Sequence, residues 1–195
     1  MSISFDIDEA ISILERTPKV LSALLSGLSK EWLYNNEGGS TWSPHQVLGH
    51  LVYGEETDWL PRTKIILEFD ATKEFEPYDR FAQDRLYADK NSEELLSLFA
   101  KRREQNLEEL KGMSLSSDDL MRKGKHPEFG EITLKEMLSA WVVHDLGHIV
   151  QINRTLAKNF KEEIGQSILR LSDQNRHRKN NKAITLLLAA FPKDV

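Results

Sequence analysis

The stretch Trp141-Val142-Val143-His144-Asp145-Leu146-Gly147-His148-Ile149 sits inside a segment that opens with Thr133-Leu134-Lys135-Glu136. That opening pairs a threonine cap with a glutamate three residues on, the capping box that starts a helix. At about 100° per residue, Leu134, Leu138, Trp141, Asp145, Ile152 and Leu156 form one inward stripe, which predicts a helix running to about Ala157. His148 falls inside this stripe and His144 on its margin. Residues i and i+4 lie about one turn apart on the same face, so both imidazoles can reach one point. A third histidine, His50, edges the apolar face of another segment, Val47-Leu48-Gly49-His50-Leu51. Two such ligands on one helix and a third on another would make a three-histidine metal site with coordination positions left open. The alternative is that these are interior histidines bonded to the backbone.

Two carboxylates accompany the histidines. Asp145 is the centre of an apolar face and needs a partner if it is buried. Metal-bound histidines usually donate their other N–H to a carboxylate or carbonyl, which makes Asp145 and Glu55 candidates for supporting them. Glu55 could instead act as a fourth ligand or a general base, or pair with Arg62 two turns along. Gly54, one turn above His50, leaves the space over that imidazole open, and Gly49 and Gly147 also flank the ligands. Glycines inside helices cost about 1 kcal/mol each against alanine, so three of them call for a packing or functional reason.

Three further helices are read outward from this segment. The first starts at Asp6-Ile7-Asp8-Glu9 and carries Ile11, Leu14, Leu21, Leu24, Leu25 and Leu28, with an interruption expected at Pro18. The second starts at Ser43-Pro44-His45-Gln46, where serine caps, proline takes the first turn and glutamine closes a capping box; Pro61 is expected to bend it. The third runs from an Asn91 cap to about Leu110, with Leu95, Leu98, Phe99, Leu107 and Leu110 inward. Between the second and third, Asp70 to Lys90 shows no period, and connections of that length often serve as pocket walls or lids. No segment reads as a convincing strand. The pattern predicts an all-α protein, with four amphipathic helices in an antiparallel bundle.

The chain has 195 residues, enough for one sizeable core. Its formal charge of -5 gives no basic field for nucleic acid, and no apolar run approaches membrane-spanning length; the longest is Ile184 to Ala190. There are no cysteines, which excludes disulfides and a thiolate nucleophile and fits a reducing compartment. With no secretory signal visible at Met1-Ser2-Ile3, the expected location is cytoplasmic. Residues 1–165 are assigned to the bundle and 166–195 to a C-terminal extension, in which polar Ser172 to Lys182 precedes the apolar Ile184 to Phe191.

Several short motifs together resemble the DinB/YfiT-like family. They are Arg16-Thr17-Pro18, Thr41-Trp42-Ser43-Pro44, Gly49-His50-Leu51, Glu55 with Asp58-Trp59, Gly130-Glu131-Ile132-Thr133-Leu134, and above all Trp141 to Ile152. The resemblance implies a four-helix bundle in up-down-down-up order. It further implies a divalent metal, zinc or nickel, held at positions matching His50, His144 and His148, and a homodimer. Characterised relatives include thiol-dependent S-transferases and an isomerase, and other members are labelled metal-dependent hydrolases. Relatives often carry Gly-Pro-Trp and a tyrosine after the last helix, where this chain has Gly165-Gln166-Ser167-Ile168-Leu169. The expected partner is a small-molecule substrate, with any low-molecular-weight thiol supplied from outside. A non-catalytic stress-response or binding module with a structural or vestigial metal is the competing reading.

Overall fold

The structure, a computed structural model, describes residues 4–160; the expectations for the C-terminal extension lie outside the described residues. Among the described residues, nine α-helices and one hairpin follow one another: α1 (Ile7–Leu14), α2 (Thr17–Leu25), α3 (Lys30–Tyr34), α4 (Pro44–Thr57), α5 (Trp59–Phe69), α6 (Ala82–Leu86), α7 (Ser92–Gly112), α8 (Ser117–Met121), β1 (Lys123–His126), β2 (Gly130–Thr133) and α9 (Leu134–Lys158). The four long members of the bundle are α1–α2, α4–α5, α7 and α9.

The chain punctuates itself where its caps say it should. Ser43, Asn91 and Thr133 each accept from the third backbone N–H of their helix, and the side chain of that third residue reaches back. The first helix divides before Pro18, which sits at the start of α2. The second divides at Asp58 rather than bending at Pro61. Proline lacks the N–H that a continuous helix would donate to Thr57, so the break falls just upstream and Pro61 occupies the first turn of α5.

Side-chain pairs give the direction of each helix. His45 meets Ser92, Glu55 meets Arg103 and Lys64 meets Glu109, so α4–α5 and α7 run parallel. Ser26 meets Glu93 and Glu15 meets Lys111, which sets α1–α2 against α7. His50 meets His144 and Glu55 meets Trp141, which sets α9 against α4. The order is up-down-down-up, as the family resemblance implied, and the simple antiparallel bundle suggested by periodicity alone is corrected. Two parallel neighbours need a long crossover, and residues 70–91 supply it.

The hairpin is the second difference. β1 and β2 pair antiparallel from Lys123 opposite Thr133 to His126 opposite Gly130, and Phe75 in the crossover donates its backbone N–H to Lys125. Lys123-Gly124-Lys125-His126 has neither alternating apolar residues nor β-branched ones, so it carries no strand signal. A glycine is required at 124, where a Cβ would lie 2.5 Å from Phe75 and 2.6 Å from Ile66.

The core is in two parts. One cluster holds Ile11, Leu14, Trp59, Leu60, Ile66, Leu107, Leu110, Leu134, Leu138 and Trp141. The other holds Leu21, Leu25, Val47, Leu48, Leu51, Val52, Leu95, Phe99 and Ile152. Each bundle helix crosses from one cluster to the other at a buried polar residue: Thr17, Glu55, Arg103 and Asp145. A polar stratum therefore cuts the bundle at mid-height.

Candidate metal centre

α7 contributes Arg103 to this stratum, between Phe99 and Leu107 of its inward face, and the residue is 1% exposed. Its guanidinium makes five hydrogen bonds. Nε and Nη2 donate to Glu55 Oε1 at 3.1 and 2.7 Å, Nη1 and Nη2 to the two oxygens of Asp145 at 2.6 and 3.1 Å, and Nη1 to the carbonyl of Leu14 at 2.9 Å. The rings of Phe99 and Trp141 lie 4.8 and 5.0 Å from it. Glu55 also accepts from Trp141 Nε1 and from the amide of Asn106. Burial pushes the Glu55 carboxyl up, against the pull of Arg103. For Asp145 burial also acts upward, but Arg103 and then His144 outweigh it and hold the carboxyl down at about 2. Two carboxylates face one guanidinium, which leaves a net negative charge inside the bundle.

The three histidines sit against this charge. His144 Nε2 lies 2.9 Å from His50 Nε2 and 3.1 Å from His148 Nε2, and the ligand atoms all fall within 4.8 Å of one another. α9 presents His144 and His148 one turn apart, and α4 delivers His50 from the facing side. The outer nitrogens are held: His50 Nδ1 lies 3.0 Å from the Tyr78 hydroxyl, and Gln151 Oε1 accepts from His148 Nδ1 at 2.8 Å. His144 Nδ1 lies 3.8 Å from Asp145 Oδ1, within reach of its charge. Trp42 packs on His50 and Trp59 on His144, with ring centroids 4.7 and 5.1 Å apart. Burial holds His50 well below the ordinary histidine range and His148 down at about 3, and the neighbouring imidazoles push the same way. Neutral imidazoles with converging lone pairs are the form that ligates a cation. The residues present therefore fit a divalent ion.

The expectations for Arg62 and Gly54 land differently. Arg62 pairs with Asp58 at 2.7 Å, not with Glu55. A Cβ at Gly54 would lie 3.4 Å from Trp59 Nε1 and within 4 Å of no imidazole, so the glycine does not open the space over His50. His126 has a turn role, its Nδ1 accepting the backbone N–H of Glu128 and Phe129. His45 is half-buried, stacked on Tyr34 and bonded to Ser92. The crossover does wall the site, through Tyr78. Sequence reasoning missed Arg103 and Tyr78. Arg103 has a signal in its spacing, four residues from Phe99 and four from Leu107, whereas Tyr78 lies in an aperiodic segment with none.

A helical bundle with three histidines converging from two facing helices, backed by a buried charge network, defines a class of metal-centre scaffold. Comparison with known proteins agrees with it. The family profile of the DinB superfamily matches residues 13–152, and the chain belongs to that superfamily. Among solved structures, YfiT from Bacillus subtilis matches with a TM-score of 0.69 and 25% identity over 80% of this chain and 90% of its own. It is described as a probable metal-dependent hydrolase with an unusual four-helix bundle topology. TT2238, a four-helix bundle protein, matches with a TM-score of 0.53 and 24% identity over 76% of this chain and 99% of its own, a likeness of fold. No curated protein matches. Among the described residues no helix is long and apolar enough to cross a membrane.

Proposed function

We propose that this protein is a metal-dependent enzyme in which His50, His144 and His148 hold one divalent ion, zinc or nickel. An incoming water or low-molecular-weight thiol is the nucleophile, which makes the protein a hydrolase or a thiol S-transferase. The observation that carries this reading is the convergence of the three imidazole Nε2 atoms at 2.9 and 3.1 Å. A bound ion supplies Lewis acidity there, bringing the pKa of water or thiol toward neutrality. Tyr78 and Gln151 fix the ring orientation of His50 and His148, and Trp42 and Trp59 keep bulk water from two of the ligands. Glu55 and Asp145 are assigned to positioning and charge, not to proton transfer, because both are bonded to Arg103. With no cysteine in the chain, a thiol must arrive as a cosubstrate.

The likeness to YfiT supports the hydrolase half of the reading. The same reading includes a cytoplasmic location and a homodimer. The half-exposed stripe of Val143, Leu146 and Val150 on the outer face of α9 supports the dimer. Sedimentation of wild type beside Leu146→Glu checks it: a dimer that becomes a monomer supports the assignment, and a monomeric wild type removes it.

Elemental analysis of untagged protein tests the centre itself. Wild type should hold about one ion per chain, and His50→Ala, His144→Ala and His148→Ala should each lose it. Substrate screening with ester, amide and thiol-transfer probes then separates the two reaction classes. Wild type that takes up no zinc, nickel or manganese on reloading would overturn the reading.

A further inference from the structure

α7 supplies none of the three converging histidines, yet its Arg103 holds both of the helices that do. Asp145, the residue after His144 on α9, accepts from Nη1 and Nη2 at 2.6 and 3.1 Å. Glu55 stands five residues, about 7.5 Å of rise, beyond His50 on α4. It accepts from Nε and Nη2 at 3.1 and 2.7 Å. Nη2 is therefore shared: one nitrogen bonds a carboxylate from each ligand-bearing helix. Nη1 also donates to the Leu14 carbonyl of α1, which holds the guanidinium from a third side.

Further contacts tighten the same joint. Asn106, about one turn along α7, donates to the side chain and to the backbone carbonyl of Glu55. That carbonyl falls in the last turn of α4, where carbonyls lack a partner within their own helix. Trp141 Nε1 donates to Glu55 and joins α9 to α4 directly. A stack of rings also leads from Arg103 back to the centre. The guanidinium lies 5.0 Å from the Trp141 ring, Trp141 stacks on Trp59 at 5.7 Å, and Trp59 meets His144 edge-on at 5.1 Å. Without the guanidinium, two like charges from α4 and α9 would face each other in the interior and push those helices apart. A lysine does not replace it, because an ammonium is a point charge and lacks the planar fork that reaches two carboxylates at fixed angles.

We infer that Arg103 is a positioning residue of the histidine centre. By tying Glu55 to Asp145 it fixes α4 against α9, and so sets how tightly His50, His144 and His148 hold a divalent ion. This rests on the three histidines being a metal centre. It adds that the affinity of the centre is governed from a helix that carries no ligand.

Zinc dissociation constants of the full-length, metal-free protein, measured by competition with a chromophoric chelator, test this. Arg103→Lys keeps the charge and loses the fork. Glu55→Gln combined with Arg103→Gln also loses the fork, but it leaves Asp145 in place and removes one charge of each sign, so the net charge of the layer is unchanged. Both variants should bind zinc about 10–100-fold more weakly than wild type. Each is assayed where urea titration shows it folded, so a merely structural role for Arg103 would leave the affinity at the wild-type value. Coupling between two places is reciprocal, so zinc added to wild type should also shift the Arg103 Nε–H resonance, a reading that needs no variant. A folded variant that binds zinc within about twofold of wild type would overturn the inference. So would an Arg103 resonance that zinc leaves unmoved. Wild type that takes up no zinc removes the metal centre itself, whereas wild type that binds zinc beside variants that match it removes only the role of Arg103.

Discussion

All five N–H groups of Arg103 are engaged, by two carboxylates from different helices and a carbonyl from a third. A charge so placed is costly to leave unmatched. Arg103→Leu should destabilise the protein by about 3–5 kcal/mol in urea denaturation, because two carboxylates remain buried without their cation. Arg103→Leu combined with Glu55→Leu and Asp145→Leu should recover much of that loss, since an apolar layer needs no partners. A triple variant no more stable than the single one would contradict this account. At the outer edge of the centre, Tyr78→Phe should weaken metal affinity about 10–100-fold while the melting temperature of the metal-free protein barely moves. His144 and His148 were legible because their i,i+4 spacing puts them on one helix face, and His50 because it edges the apolar face of another helix within the family's motif. Arg103 was not, because Lys101-Arg102-Arg103-Glu104 looks like a solvated charge run and only its phase against Phe99 and Leu107 sets it apart.

The helix starts were the most legible elements, since a capping box is a local chemical arrangement that no distant contact has to ratify. Helix direction was not legible in the periodicity, because an amphipathic face says which side is buried and nothing about which way its neighbour runs; the up-down-down-up order came from the family resemblance. The hairpin escaped for a third reason: its position is dictated by what lies over it. Gly124 is clasped by Phe75 from the crossover and Ile66 from α5. Gly124→Val should therefore cost about 1–3 kcal/mol through overpacking, read as a lowered melting temperature. Gly130→Ala, at a φ of +72°, should also destabilise, through its backbone and not through contact. If Gly124→Val melts with wild type, the hairpin is not packed as described.

For the molecule as a whole, the histidines couple stability to pH and to metal. His50 and His148 are held neutral in the fold, with His148 at about 3, while in the unfolded chain they protonate near 6.5. A depressed folded pKa means stability is fully present above about 6.5 and drains away as pH falls toward the folded value. At about 1.4 kcal/mol per pH unit per group, metal-free protein should lose on the order of 2–4 kcal/mol between pH 6.5 and 5. Glu55, pushed up by burial, works in the opposite direction. His50→Leu should flatten the profile, as followed by chemical denaturation at each pH. Adding metal should raise the melting point, by about 2.7 kcal/mol of stability when the ion stands at a hundred times its dissociation constant.

The polar stratum also bears on how the chain comes to be folded. Its bonds join residues far apart in sequence: Leu14 to Arg103 spans 89 positions, Glu55 to Trp141 spans 86, and His50 to His144 spans 94. While the chain is being synthesised, Glu55 emerges long before the arginine that neutralises it, and His50 waits for most of the remaining chain before it meets its companions. No early fragment can close the middle of the bundle. The centre becomes a late checkpoint, completed only when α9 has arrived, and a ribosome stalled ahead of His148 would display helices but no metal site.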